Sequence, residues 1–353
     1  MKVAILGDMH VGVRNDSLIF HKHFAKFYDE VFFPYLKEHN ILHIVQLGDV
    51  FDRRKYINFS SLHHSRQYFF DKVNREYSSW MLTGNHDTYH KNTNEINSPE
   101  LLLESYHNIN KINSPVEVDF EDCKVLLVPW ICEENEQRCV EAIRNTDAQV
   151  IMGHFELNGF EMYRGTVCED GMDSSIFNGK KVISGHFHHM SQVGNILYVG
   201  TPYQMTWSDY GDTKGFHIFD TDTKELTFIE SPFTMFHKLH YDDQQIKSVA
   251  DIGKMDFTHL AGCYVKVIVR NKDNPTWFDV FVDKLEKAGV ADLQVVEDHF
   301  HLDLEDDDDI INEAEDTLTI LSKYIDQLEL QSDRVRLDNL MRTLYHEALS
   351  MES

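Results

Sequence analysis

The first 230 positions alternate short apolar runs with longer stretches in which apolar residues recur every three or four positions. Residues Lys2 to Leu6 and Ile41 to Leu47 are apolar and rich in β-branched side chains, which predicts buried strands. Between them, the apolar spacing predicts a helix that begins after Ser17, a suitable N-cap, and that kinks or ends at Pro34. Strand, helix and strand in this order indicate a βαβ unit of an α/β fold.

The same alternation continues to about residue 230. Three further helices are predicted, from about Ser60 to Tyr77, from a capping residue at Ser98, and from Glu133 to Arg144. The further predicted strands are Trp80–Thr83, strands within 116–128, Gln149–Met152, Val182–Ser184, Leu197–Val199, and a closing hairpin of Phe216–Asp220 and Leu226–Glu230.

The pattern changes after Pro232. Strands at Met235–Tyr241, Cys263–Val269 and Leu293–Val296 and a helix at Pro275–Ala288 predict a small α+β unit. We therefore divide the chain into a main domain at 1–232, a capping domain at 233–302, an acidic linker at 303–309 and a helical segment at 310–353.

The helical segment at 310–353 carries two amphipathic stripes. In the first stripe apolar residues step by three and four from Ile311 to Leu328, and a second stripe runs from Leu337 to Ala348. These helices either fold back onto the main domain or dock on a partner, and the sequence favours neither alternative.

Composition limits the class of protein. The 353 residues are 42% apolar and 26% charged, as in a globular chain, and no apolar run approaches the roughly 20 residues that span a bilayer. The five cysteines include no Cys-x-x-Cys pair, so we expect reduced thiols and a cytoplasmic protein. The net charge of −26 alone argues against nucleic-acid binding, unless bound cations reverse the local field.

Polar residues that can bind metal follow five of the predicted strands. Because strand ends meet at one edge of such a sheet, we expect these residues to lie together. Carboxylate, imidazole and amide ligands without thiolate suit a pair of divalent ions such as manganese, iron or zinc better than a structural zinc site. The five motifs are Gly7-Asp8-Met9-His10, Gly48-Asp49-Val50-Phe51-Asp52, Gly84-Asn85-His86-Asp87, Gly153-His154 and Gly185-His186-Phe187-His188.

This ordered set resembles the calcineurin-like metallophosphoesterase family over about residues 1 to 230. The resemblance implies a four-layer fold, in which two packed β-sheets form a sandwich flanked by helices. It also implies that two metal ions share one bridging carboxylate, Asp49. The implied ligands are Asp8, His10 and His188 for one ion and Asn85, His154 and His186 for the other.

Two further residues of the motif Gly84-Asn85-His86-Asp87 are candidates for catalysis. The family resemblance implies that His86 faces the scissile phosphate and does not bind metal. Asp87 is expected to orient His86 or another histidine of the site. Asp52 stands where many relatives carry a histidine, and its role is left open.

Within the family, the chain resembles the SbcD-type DNA repair nucleases. That resemblance implies a manganese-dependent 3′-to-5′ exonuclease and single-strand endonuclease, with Mg²⁺ as the alternative metal, and a capping domain that binds DNA. It implies an SbcC-type ATPase partner on the C-terminal helices, a homodimer within a heterotetramer, and a cytoplasmic location, in the host if phage-encoded. The alternatives are a small-molecule phosphodiesterase or protein phosphatase on the same fold, and a scaffold with a degenerate site.

Overall fold

The computed structural model describes residues 1–163, 166–169 and 171–297, and these contain two six-stranded sheets, a three-stranded sheet and a two-stranded sheet. The predicted linker at 303–309 and the helical segment at 310–353 lie outside these residues. Within the described ranges, no helix is both long enough and apolar enough to cross a membrane.

The strands, in chain order, are β1 (Lys2–Leu6), β2 (His43–Gln46), β3 (Ser78–Leu82), β4 (Ile109–Ile112), β5 (Val116–Phe120), β6 (Cys123–Val128), β7 (Val150–His154), β8 (Glu161–Tyr163), β9 (Thr166–Val167), β10 (Lys181–Gly185), β11 (Ser191–Val193), β12 (Ile196–Tyr198), β13 (Gly215–Asp220), β14 (Leu226–Glu230), β15 (Phe236–Asp242), β16 (Tyr264–Asn271) and β17 (Asp292–Glu297). The helices are α1 (Val13–Asp16), α2 (Leu18–Phe27), α3 (Phe33–Glu38), α4 (Phe59–Ser65), α5 (Asp71–Glu76), α6 (Ser98–Leu102), α7 (Glu136–Asn145), α8 (Val249–Lys254) and α9 (Pro275–Lys287).

The order of strands in the first sheet is β14-β13-β1-β2-β3-β4, and in the second it is β11-β12-β10-β7-β6-β5. Strands β1 to β4 run parallel to one another, and so do β6, β7, β10 and β12. The carboxyl ends of β1, β2 and β3 therefore lie along one edge of the first sheet, and those of β7 and β10 lie along one edge of the second.

Alternating side chains on the strands build three layers of core. On β1, Val3 and Ile5 are buried between the two sheets, while Ala4 and Leu6 pack beneath the aromatic residues of α2. On β6, Val125 and Leu127 face the first sheet, while Leu126 and Val128 pack on α7. This arrangement of helix, sheet, sheet and helix confirms the four-layer α/β sandwich.

Helix boundaries differ from the sequence prediction at two prolines. Pro34 does not end its helix, because a π-helical turn at Tyr28–Phe32 joins α2 to α3 and Pro34 occupies the first turn of α3, where its missing N–H is tolerated. At α6 the N-cap is Asn97 and not Ser98: the Asn97 side chain accepts the Glu100 N–H at 2.9 Å.

The three-stranded sheet holds β15, β16 and β17 in parallel, and it confirms the strands predicted after Pro232. Helices α8 and α9 pack on it around a separate apolar core, and α8 was not predicted. The sheet contacts the main domain through Phe236 and Tyr264, whose rings lie 6.2 and 5.5 Å from that of Phe20. The domain boundaries at 232 and 302 stay a prediction.

Candidate metal centre

Five strand ends carry the side chains that the sequence analysis singled out. Asp8, Asp49 and Asn85 lie just beyond β1, β2 and β3 of the first sheet. His154 is the last residue of β7, and His186 follows β10 in the second sheet. The first sheet therefore supplies the oxygen ligands, and the second sheet supplies imidazoles that face them.

Asp8, His10 and His188 form the first cluster, and their potential ligand atoms lie within 4.8 Å of one another. The Nε2 atoms of His10 and His188 are 3.0 Å apart, and His188 Nε2 is 3.7 Å from Asp8 Oδ2. Asp8 is fully buried, and its carboxylate accepts the backbone N–H of His186 at 3.1 Å. Two imidazoles and one carboxylate thus converge on a single point.

Asp49, His154 and His186 form the second cluster. The Asn85 amide oxygen adds to it, at 2.8 Å from His154 Nε2 and 3.0 Å from His186 Nδ1. Asp49 Oδ2 lies 3.4 Å from His154 Nε2 and 3.7 Å from His10 Nε2, which belongs to the first cluster. The Asp49 carboxylate therefore lies between the two clusters.

Strained backbone holds several of these side chains in place. The φ angles of His10, Asp49 and His186 are 43°, 52° and 91°, in the left-handed region that side-chain-bearing residues rarely adopt. A Cβ atom on Gly84 would lie 2.2 Å from Asp49 Oδ1, so only glycine fits beside this carboxylate. Strain of this kind concentrates at functional sites, where the surrounding fold maintains it.

The electrostatics of the site favour bound cations. Burial opposes a charge on His10 and His154, but neighbouring carboxylates, Asp52 and Asp49 first among them, outweigh it and raise the pKa of each histidine to about 9. Burial likewise opposes a charge on Asp49, but His154 and His10 hold its pKa well below the usual range.

Two other histidines keep their neutral form. Burial lowers the pKa of His186 to about 3, and it lowers that of His188 well below the usual value. No lysine or arginine pairs with Asp8 or Asp49 in the part of the chain that the structure describes. Divalent cations would replace the protons that the surrounding carboxylates attract to His10 and His154. Buried carboxylates, imidazoles and an amide oxygen therefore suit two such cations, and the donor set fits the metal pair that the sequence implies.

His86 lies beside both clusters without belonging to either. Its Nδ1 is 2.7 Å from the Asp52 carbonyl oxygen, its backbone N–H donates to Asp49 Oδ1 at 2.8 Å, and its ring packs edge-on against His10. It also forms a third group of potential metal ligands with His10 and Asp52. The geometry alone leaves His86 available either to substrate or to metal.

Asp87 was expected to orient His86 or another histidine of the site, but among the described residues it makes no hydrogen bond or ion pair with any of them. It is fully buried, and its carboxylate accepts backbone N–H groups from Gly84 at 2.9 Å and from residues 50 and 51 at 3.2 and 3.0 Å. The Asp52 carbonyl makes the orienting contact with His86. Asp87 instead connects the loop that follows β2 to the loop that follows β3, because its carboxylate accepts backbone N–H groups from both.

The role left open for Asp52 has a structural answer. Its carboxylate Oδ1 lies 3.3 Å from His10 Nδ1, on the side of the ring away from the first cluster. At this distance the carboxylate forms an ion pair with the ring without the geometry of a hydrogen bond, and carboxylates behind metal-binding histidines tune metal affinity. No spacing in the sequence reveals this contact, because it joins residues 42 positions apart (52 minus 10).

Sequence reasoning also missed two residues that border the site. The ring of Trp130 lies 5.2 Å from that of His186 and lines a cavity of about 460 Å³ beside the second cluster. Buried Lys214 donates to the His188 carbonyl at 2.9 Å and pairs with Asp209 at 2.6 Å. Both residues belong to segments without metal-ligand motifs, so no pattern marked them.

The amino-acid sequence is similar to a known family and to a protein from a phage. The profile of the family described as calcineurin-like phosphoesterase matches residues 1–190. A relative from Enterobacteria phage T4, named exonuclease subunit 1, is 33% identical over 351 residues, which cover 99% of each chain.

Two solved structures that match the chain are distant from it. A protein of unknown function from Aquifex aeolicus aligns with a TM-score of 0.28 and 13% identity, over 43% of this chain and 77% of that one. A glutamine-dependent NAD+ synthetase from Acinetobacter baumannii, in complex with adenosine diphosphate, aligns with a TM-score of 0.29 and 11% identity, over 84% and 64% of the two chains. Scores this low carry no argument about the present chain.

Proposed function

This chain belongs to the calcineurin-like phosphoesterase family, and from that premise we propose that it is a two-metal DNA nuclease. The observation that carries the proposal is the position of Asp49, whose carboxylate lies between a cluster built around Asp8 and a cluster built around His154. A shared carboxylate between two sets of ligands is the arrangement that two-metal phosphoester hydrolysis requires.

The proposed ligand sets follow the two clusters. Asp8, His10 and His188 would hold one divalent ion, Asn85, His154 and His186 would hold the other, and Asp49 would contact both. When bound, the ions would activate a water molecule and neutralise the oxygens of the phosphodiester. Manganese fits this mixture of carboxylate, amide and imidazole ligands, and magnesium is the alternative.

We assign His86 to the substrate. Its Nδ1 is engaged on the Asp52 carbonyl at 2.7 Å, so Nε2 is the nitrogen that remains for the phosphodiester. There it can stabilise negative charge on phosphate or deliver a proton to the leaving oxygen. The Asp52 contact fixes the rotation of the ring, which keeps Nε2 in place during the reaction.

The nature of the substrate rests on the relative from phage T4. Its name, exonuclease subunit 1, describes a nuclease and implies a second subunit. By extension we propose that the present chain cleaves DNA from 3′ ends, cuts single strands internally, and works with an SbcC-type ATPase bound through residues 310–353. The net charge of −26 supports a need for such a partner, since its basic surface would hold DNA that this subunit repels.

The test is an assay on linear duplex and single-stranded DNA with manganese, with and without the ATPase. We expect cleavage of DNA, little hydrolysis of free nucleotides, and stimulation on duplex by the ATPase. Rapid hydrolysis of small phosphodiesters or phosphoproteins without cleavage of DNA would instead support the alternative enzyme class. Full DNA cleavage by a variant without the Asp49 carboxylate would refute the proposed two-metal mechanism.

A further inference from the structure

A short basic segment follows the metal-site loop directly. Arg53, Arg54 and Lys55 are the one run of three consecutive basic residues in a chain of net charge −26. The preceding residue, Asp52, contacts both His86 and His10. Because neighbouring Cα atoms are about 3.8 Å apart, this positive charge begins at the border of the site.

The first of these basic residues serves the fold, and the other two remain available. The Arg53 guanidinium donates to Asp16 and to Asn15, each at 2.7 Å. Arg54 donates to the neutral Thr88 hydroxyl at 3.2 Å, and Lys55 is exposed. Within the described ranges neither Arg54 nor Lys55 forms an ion pair with a carboxylate, so both can bind an anionic ligand.

Exposed aromatic side chains stand next to this charge. The exposed fractions of Tyr56, Phe59 and Tyr89 are 64%, 88% and 41%. Tyr56 and Tyr89 line a cavity of about 150 Å³ whose floor includes buried Phe51. Pockets for drug-sized molecules measure roughly 300–1,000 Å³, so this cavity accommodates one flat ring system and not a whole nucleotide.

Basic side chains beside exposed aromatic rings are the combination that binds single-stranded nucleic acid. Phosphates contact the cations, and a base can stack on an aromatic face only when it has left the double helix. The same arrangement offers little to a paired duplex, whose bases are already stacked on one another. Such an arrangement beside the metal centre favours the binding of unpaired DNA over the binding of duplex DNA.

We propose that residues 53–59 together with Tyr89, which we call the strand seat, bind an unpaired stretch of the DNA substrate next to the cleavage site. Arg54 and Lys55 contact its phosphates, and one base stacks at the mouth of the cavity between Tyr56 and Tyr89. This inference rests on the proposed nuclease function and adds to it how the enzyme selects single strands and frayed ends.

The test measures binding separately from cleavage. The full chain with manganese is titrated against a fluorescein-labelled oligothymidylate whose phosphorothioate linkages resist hydrolysis, and against a blunt duplex of equal length with the same linkages. We expect Tyr56→Ala combined with Tyr89→Ala to weaken single-strand binding by about tenfold or more, since stacking on aromatic side chains contributes at this level. Binding of the duplex should stay close to that of the wild type.

Arg54→Ala combined with Lys55→Ala should weaken binding in a salt-dependent way. Each phosphate contact to a single strand contributes about 0.7 to the slope of log affinity against log salt, so the slope should fall by about 1.4. The matched controls are Leu42→Ala, an exposed apolar residue at the opposite end of β2, and Lys254→Ala on α8, both expected to bind like the wild type.

Two outcomes would overturn the strand seat. In the first, the aromatic double variant binds single strands with the affinity of the wild type. In the second, it loses affinity for single strands and for duplex equally. Neither outcome depends on cleavage, so the proposed nuclease function stands or falls separately in the DNA cleavage assay. Circular dichroism and a urea midpoint on each variant show that the fold is retained.

Discussion

Replacing Asp52 tests whether the carboxylate behind His10 sets metal affinity. At 3.3 Å, the Asp52 carboxylate would interact with a full positive charge on the His10 ring by about 5 kcal/mol at an effective dielectric constant near 20. A neutral ring that binds a metal ion carries only part of such a charge, so this figure is an upper bound on what Asp52 contributes to metal binding. A quarter of the Asp52 side chain is exposed, so water screens part of this interaction. Partners of metal-binding histidines contribute about 10- to 100-fold in metal affinity, which equals about 1.4–2.8 kcal/mol.

We therefore expect Asp52→Asn to raise the manganese concentration for half-maximal DNA cleavage by about tenfold, because asparagine keeps an oxygen for His10 but loses the charge. Asp52→Ala loses both and should approach a hundredfold. At saturating manganese kcat should recover in each variant. Asp122→Asn, at an exposed turn between β5 and β6, is the control.

The assay is a manganese titration of single-strand cleavage, with bound metal counted by calorimetry. An unchanged half-maximal concentration in both Asp52 variants would refute the positioning role. A lower kcat at every manganese concentration, with unchanged metal affinity, would show that Asp52 acts on the substrate and not through His10.

Further predictions concern the other parts of the site and the partner. Asp49→Asn should abolish cleavage while circular dichroism shows a native fold, because it removes the charge shared by two cations; near-normal activity at saturating manganese would contradict it. His86→Ser should keep two bound ions and slow cleavage by about 10²–10⁴-fold, and loss of one ion on metal analysis would place His86 among the ligands. Asp87→Ala leaves three buried amides without an acceptor, at about 1–3 kcal/mol each, so urea unfolding should show a loss of at least about 3 kcal/mol; lost activity at full stability would indicate a catalytic role. Truncation after Asp303 should abolish co-purification with the ATPase but retain cleavage of short single strands, and unchanged co-purification would remove these residues from the interface.

The strand ends of the site could be predicted because their signal is local. A buried apolar run followed by Gly-Asp or Gly-His fixes both the direction of the strand and the place where its polar residue emerges. Parallel pairing then brings Asp8, Asp49 and Asn85 to one edge of the sheet. The packing of the two sheets was expected only from the family resemblance, and the order of the strands was not predicted.

The contacts behind the site could not be predicted, since they depend on side chains that approach across the fold. Asp87 and Asp52 both follow a strand end, and nothing in their spacing distinguishes the one that binds backbone amides from the one that faces His10. Lys214 reaches the His188 carbonyl from a loop 26 residues away. Pro34 was expected to kink or end its helix, and the π-helical turn that lets the helix continue past it has no signal in the spacing of the sequence.

The residues proposed to bind metal come from the facing edges of two separate sheets. One sheet supplies two carboxylates, one amide and His10, and the other supplies three imidazoles. Two ions bound there would link the two sheets at the edge where these ligands lie. A ligand bound only by the folded chain at a hundredfold excess over its Kd adds about 2.7 kcal/mol to the free energy of unfolding, more than the roughly 1 kcal/mol that an average substitution removes. Chelation should therefore expose this edge of the sandwich to proteases, so the supply of manganese would govern how long each molecule survives as well as how fast it works.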